Sequence, residues 1–194
     1  RFRTLNEPEP SYHDIRFAHD LGDLSQVAYI VRMRVVPLRN LGAAISPDNA
    51  WMFLQGTETL ALRMQRHSEN ALAVAEFLKK HPAVDWVSYP GLPDHPSHDN
   101  AARYLTRGYG GMVVFGIKGG RDAGQRFIEK LTLFSHVANV GDAKSLAIHP
   151  SSTTHSQLSE EQQRNAGLQP ELIRLSIGLE HIDDIRSDLD RALT

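Results

Sequence analysis

Residues 171–180 read ELIRLSIGLE, and the way they fold decides how the rest of the chain is read. Leu172, Ile173, Leu175, Ile177 and Leu179 form a short apolar run with Gly178 near its end. A run this brief is too short for a helix and reads as a buried strand. Arg174 stands in its middle. A guanidinium keeps its charge at physiological pH, and burying it without a partner is strongly unfavourable. The strand reading therefore requires an anion for Arg174. From the residues alone two answers stand. One is a structural ion pair with a neighbouring carboxylate such as Glu180 or Asp183. The other is the carboxylate of a small molecule, which an arginine fork matches through two parallel hydrogen bonds.

The sequence on either side alternates short strands and helices. Upstream, GMVVFGIKGG (111–120) reads as a central strand bounded by glycines, and VDWVSYPG (84–91) as a strand ending in a turn. HDNAARYLTRG is a short helix candidate, and RDAGQRFIEKL spaces Ala123, Phe127 and Leu131 for one apolar helix stripe. LFSHVANVG reads as a strand that turns, and SEEQQRNAG opens with the capping box Ser159 and Gln162 and stops at Gly167. The chain closes on a helix with Ile182, Ile185, Leu189 and Leu193 along one face. The mixture predicts an α/β or α+β layer, a small sheet covered by helices.

Before this layer lies the clearest helical signal. Ser46, Pro47 and Asp48 form a capped start, and Phe53, Leu60, Met64, Ala71, Val74 and Leu78 recur mostly at helical steps. Lys79, Lys80 and His81 place positive charge at the far end before Pro82 stops the run, and Gly56 is the expected break between a short helix and a long one. Residues 25–41 are helical in composition, with Pro37 expected to kink or end the helix and Gly42 to stop it. The opening RFRTLNEPEPSYHD is polar, has no hydrophobic period and does not begin with Met, as expected of an incomplete N-terminus. Three segments follow: 1–45 as a connector, 46–81 as long linking helices, and 82–194 as the layered domain.

Composition narrows the function. A net charge of −2 argues against a nucleic-acid binder, which needs a basic face. No run is long enough to span a bilayer, and no signal peptide opens the chain. The lack of cysteine excludes disulfides and thiolate chemistry, and a cytoplasmic setting is the plain expectation. His136, His149 and His155 fit neither the i, i+4 zincin pair nor a Cys/His zinc pattern, so no metal site is expected. Neither glycine cluster has dinucleotide spacing, and no G-x-S-x-G elbow occurs. The loop ANVGDAKSLAIHPSSTTH (138–155) offers free amides and the Asn139 side chain to a carboxylate or phosphate, while Lys144 beside Asp142 reads as a solvent-facing lysine.

Taken together, NVGDAKSLAIHPSSTTHSQLSEEQQRNAGLQPELIRLSIGLEHIDDI resembles the C-terminal region of the Cys/Met-metabolism family of pyridoxal-phosphate enzymes. PSYHD, AAISPDNAWMFLQGTETLALRMQRHSENALAVAEFL, VSYPGLP and GGMVVFGIKGG fit the same family in order, so the resemblance covers essentially the whole chain. It implies the small C-terminal domain of a fold type I enzyme, with 1–45 as the end of the large cofactor domain. It implies a parent that exchanges the acetoxy group of O-acetylhomoserine for sulfide, giving homocysteine and acetate, and that assembles as a homotetramer. Arg174 takes the family role of clamping the substrate α-carboxylate, Asn139 occupies the position that assists it, and Thr154 lies in the matching segment near the site.

The departures from the family are equally specific. The Schiff-base lysine, the phosphate cup and the aspartate that pairs with the pyridinium lie outside the matched region. The chain's own Lys79, Lys80, Lys118, Lys130 and Lys144 do not sit in the cofactor-lysine context, so no catalytic residue is expected in this chain and the isolated chain is expected to be inactive. Two other readings stand beside this one. The parent could be a sister cystathionine synthase or lyase, or the chain could be a stand-alone interaction or small-molecule-binding module.

Overall fold

The computed structural model describes residues 2–194, which divide into a compact unit ending at Gln55 and a second unit, Gly56–Thr194. The first contains α1 (Arg3–Asn6), a 3-10 segment Gly22–Val27, α2 (Ala28–Met33), a π-helical stretch Arg34–Leu38, α3 (Arg39–Leu41) and most of α4 (Pro47–Glu58). Its small core gathers Phe17, Ala28 and Val36. Arg32 donates to the Glu9 carboxylate at 2.6 Å in the same unit. Pro37 does not end the helix. Its missing N–H is absorbed by the wider π turn, and the helix stops at Gly42 in the left-handed region, as glycine permits.

The two helices that the sequence predicts over 46–81 form, with one shift. Ser46 Oγ accepts from the Asn49 N–H at the start of α4. The break falls at Thr59, not Gly56, and α5 runs Leu60–Lys80. A single glycine lowers helix propensity by about 1 kcal/mol, which a helix continuing on both sides tolerates. Along α5 burial begins only at His67 and follows Asn70, Ala71, Val74, Ala75 and Leu78, whereas Phe53, Leu60 and Met64 are exposed.

The second unit is a four-stranded antiparallel sheet in the order β1-β2-β4-β3. Its strands are β1 (Val84–Ser88), β2 (Met112–Ile117), β3 (Leu146–Ile148) and β4 (Leu172–Ser176). Around it lie α6 (His98–Tyr104), α7 (Gly120–Lys130), α8 (Glu160–Asn165) and α9 (Ile182–Leu193). The Ser159–Gln162 capping box forms as expected. The segment 133–141 does not become a strand. It contributes an isolated bridge, Ser135 to Leu146, and the ladder position is taken by β3, from within the loop that follows.

Side chains alternate across a strand, and here the alternation sorts the two faces. Val113, Phe115, Ile173 and Leu175 enter the main core with residues of α5, α7 and α9. Full burial of each such side chain is worth about 1.5–3 kcal/mol. Phe115 and Phe127 meet edge to face at 5.5 Å. Asp188 of α9 ties the core's flank together: its carboxylate accepts from Thr132 N and Oγ1 and from Leu133 N, and pairs with Arg191. Burial pushes this carboxyl up, but the Thr132, Leu133 and Arg191 hydrogen bonds outweigh it and hold it below the usual range.

The other face carries Met112, Val114, Leu172, Arg174 and Ser176, in register Met112 with Ser176 and Val114 with Arg174. Arg174 also pairs with Ile148 of β3, which places it between both neighbours in the strand order.

Candidate functional site

Arg174 belongs to the strand that the sequence predicts, but it is not buried. It is half-buried on the face opposite the one that packs against α5, α7 and α9. Period-2 alternation explains this, because Ile173 and Leu175 take the core positions and send Arg174 to the opposite side. A guanidinium there avoids the desolvation cost that burial would impose. Its Nη2 donates to the backbone carbonyl of Asn139 at 2.9 Å.

Neither expected carboxylate partner takes Arg174. Glu180 accepts from the Ser145 N–H at 2.7 Å and from Ser145 Oγ at 2.8 Å. Asp183 sits beside His181 at the start of α9. Among the described residues no salt bridge to Arg174 is found, so a charged fork stands on the sheet with one contact to a neutral carbonyl.

Asn139 is exposed, and its Oδ1 accepts from the Val140 N–H at 2.9 Å. The structure thus brings Arg174 and Asn139 together through the main chain. Thr154 is also exposed. Its hydroxyl pairs with His155 Nδ1 at 2.8 Å, and it shares no hydrogen bond with Arg174 or Asn139.

The loop 139–145 is attached chiefly to residues 176–180. Gly141 N–H donates to Ser176 Oγ, Leu179 N–H to the Ala143 carbonyl, and Gly178 N–H to Ser145 Oγ. The approach at Gly178 is so close that a Cβ would lie 2.5 Å from the Ala143 carbonyl oxygen. Sequence reasoning saw Gly178 as punctuation and Glu180 as an ion-pair candidate. It missed both as anchors of the loop, since such contacts span more than thirty residues of chain.

A surface cleft lies elsewhere, lined by Gln125, Ile128, Glu129, His136, His149, Ser152 and Thr153. Its chemistry is already committed. His149 Nε2–H donates to the Pro170 carbonyl at 2.7 Å, which leaves Nδ1 to accept from Ser152 Oγ at 2.8 Å. Burial first, with Arg121 and His136 nearby, outweighs the Pro170 hydrogen bond and keeps this imidazole's pKa below its ordinary value. Ser88 and His95 make no nucleophilic pair either. His95 Nδ1 accepts from the Ser97 N–H, so in the neutral ring the proton sits on Nε2 and is donated toward Ser88 Oγ.

The coenzyme implied by the resemblance needs a lysine amine inside the site. Lys79 Nζ pairs with Asp94 at 2.6 Å, and Lys118 Nζ donates to the Pro82 carbonyl at 2.7 Å. Lys80 and Lys130 are exposed at the ends of α5 and α7, and Lys144 is exposed on the Asn139 loop. None stands in a desolvated pocket of the kind that activates an amine, so these residues by themselves do not fit a Schiff-base site.

Known proteins extend the picture. The chain is 52% identical over 193 residues to an O-acetyl-L-homoserine sulfhydrylase of Thermus thermophilus, covering 100% of this chain and 45% of that protein. It is 53% identical over 199 residues to an O-acetyl-L-homoserine sulfhydrylase of Leptospira meyeri, with the same coverage. The fold matches a crystal structure from Campylobacter jejuni, described as an O-acetylhomoserine (thiol)-lyase with an N'-pyridoxyl-lysine-5'-monophosphate. The TM-score is 0.81 at 44% identity, over 99% of this chain and 45% of that one. The chain thus spans a little under half the length of the relatives it matches, and the small antiparallel sheet with its helices is the fold type I architecture expected from the sequence. The family described as Cys/Met metabolism PLP-dependent enzyme matches residues 13–194, and the chain belongs to that family.

Proposed function

We propose that this chain supplies the substrate-carboxylate clamp of an O-acetylhomoserine sulfhydrylase, the enzyme that converts O-acetylhomoserine and sulfide to homocysteine and acetate. The observation that carries the reading is Arg174 itself: a half-buried fork on the sheet face opposite the α5, α7 and α9 core, tethered to the Asn139 carbonyl and facing no carboxylate of the described residues. In this reading the α-carboxylate of the amino acid occupies the remaining guanidinium donors, with Asn139 and Thr154 bordering the site. Pyridoxal phosphate, when bound by the rest of the parent enzyme, supplies the electron sink for the chemistry. The work of this chain is orientation. Holding the amino acid by one end converts loose binding into a fixed geometry for the reacting carbon.

The similarity to O-acetyl-L-homoserine sulfhydrylases supports the choice of substrate. We also read 82–194 as the small domain, 46–81 as linking helices and 1–45 as the edge of a cofactor domain, in a homotetrameric, cytoplasmic parent. The test is turnover by the polypeptide that contains these residues together with a cofactor-binding portion. Given O-acetylhomoserine and sulfide it forms homocysteine and acetate in equal amounts. Preferential formation of cystathionine when cysteine replaces sulfide would reassign it to a sister activity. No turnover of any activated homoserine, with the coenzyme bound, would favour a binding module.

A further inference from the structure

We propose that Glu180 and Ser145 are positioning residues for the Arg174 clamp, forming a clasp that sets where the Asn139 loop stands over the strand. The inference rests on the carboxylate-binding reading of Arg174 given above.

The two parts of the clamp come from distant stretches of sequence. Arg174 lies on β4, while the carbonyl that tethers it belongs to a loop 35 residues earlier in the chain. Something must fix one against the other. Glu180 forms no salt bridge among the described residues and spends both oxygens on one residue: Oε1 on Ser145 N–H at 2.7 Å and Oε2 on Ser145 Oγ at 2.8 Å. Ser145 is fully buried, and its hydroxyl in turn accepts from Gly178 N–H at 2.9 Å. The result is a closed circuit between the end of the Asn139 loop and the segment just past β4.

That circuit is referenced to α5. Asn70 of α5 donates to the carbonyls of both Gly178 and Glu180 at 3.0 Å, and His67 Nδ1–H donates to the Ile177 carbonyl at 2.6 Å. Both side chains are buried. Residues 177–180 are thereby held against α5, and Glu180 transmits that position to the loop.

The chemistry explains the residue type. A carboxylate accepts an N–H and an O–H at the same time, leaving the serine oxygen's lone pairs for Gly178. A glutamine keeps one acceptor, and its amide can only donate to the hydroxyl. An alanine keeps neither and leaves the Ser145 N–H unpaired.

The test combines two readouts. In the 194-residue chain, Glu180→Ala should speed amide hydrogen exchange at Ser145 and Gly178 at least ~10-fold, with Glu180→Gln intermediate. In the complete enzyme, Glu180→Ala should raise the KM for the amino-acid substrate about 10-fold while the KM for sulfide and the coenzyme absorbance stay unchanged, and Glu180→Gln should recover most of the loss. Ser145→Ala, which deletes only the hydroxyl, should move the same KM in the same direction and serves where Glu180→Ala does not fold. An unchanged amino-acid KM in the Glu180 and Ser145 variants, or a parallel loss in sulfide KM and coenzyme absorbance, would overturn the proposal. Arg174→Ala separates the two levels. If it raises the KM and Glu180→Ala does not, the clasp falls and the site reading stands. If it leaves the KM unchanged, the site reading falls and takes the positioning role with it.

Discussion

Arg174 reaches across to Asn139 and bonds to its main-chain carbonyl, at 2.9 Å, not to its side chain. The tether therefore survives a change of side chain. Asn139→Ala in the complete enzyme should raise the amino-acid KM by less than about 10-fold, since it removes only the amide and the Oδ1 acceptor for Val140. Steady-state kinetics with sulfide saturating would check this. A loss as large as that of Arg174→Ala would mean that the amide, not the carbonyl, is what orients the fork.

Gly178 has no room for a methyl group. Its Cβ would lie 2.5 Å from both the Ala143 carbonyl oxygen and the Lys144 carbonyl carbon, and backbone does not yield as a flexible side chain would. Gly178→Ala should push the loop outward, at a cost of about 1–3 kcal/mol in overall stability. Chemical denaturation measures the stability, and hydrogen exchange at Leu179, which donates to Ala143, reports the displacement.

Acid should loosen the layered unit in two stages. His149 has a folded pKa below its ordinary value near 6.5, so the native state disfavours its protonation. Its contribution is present above that pH and is lost as the pH falls below it. Asp188 has a folded pKa below its ordinary value near 3.8. Its contribution is intact above that pH and disappears as the pH falls through the folded value. Thermal melts should fall first below about pH 6.5, a step that His149→Gln removes, and again below about pH 4. Asp188→Asn should cost on the order of 1–3 kcal/mol at neutral pH and progressively less as acid neutralises the same carboxylate in the unsubstituted chain.

Lysine chemistry offers a test on the chain alone. Lys144 is exposed, and its neighbour Asp142 accepts its backbone N–H. Its amine has no desolvated pocket to activate it. Mixing the 194-residue chain with pyridoxal phosphate, reducing with borohydride and measuring mass should give no single-site stoichiometric adduct. A full adduct on Lys144 would contradict the lysine environments described above.

Much of the fold was legible because its signals are local. The Ser159–Gln162 box, the Ser46 start of α4, the α9 stripe and the strands around Phe115 and Ile173 each depend on neighbours within one or two turns of chain. What escaped depends on partners far away. β3 is three residues inside a polar loop, and it is a strand because β4 pairs with it. The stretch around Val137 has strand composition but, among the described residues, forms an isolated bridge at Ser135 and no ladder. Arg174 was placed correctly in its strand and misjudged in burial, since an apolar run does not reveal which face the helices will cover. The roles of Gly178, Ser145 and Glu180 were invisible for the same reason: each is defined by a residue more than thirty positions away or by the shape between them.

The most direct measurement is the Michaelis constant for O-acetylhomoserine in the complete enzyme, with Arg174 replaced by Ala and by Lys, at saturating sulfide and with the coenzyme spectrum recorded. Loss of a bidentate charged contact should raise the constant on the order of 100-fold in Arg174→Ala, with a smaller rise in Arg174→Lys and an unaltered coenzyme band. If both variants keep the parent's KM and kcat/KM, Arg174 does not hold the substrate carboxylate.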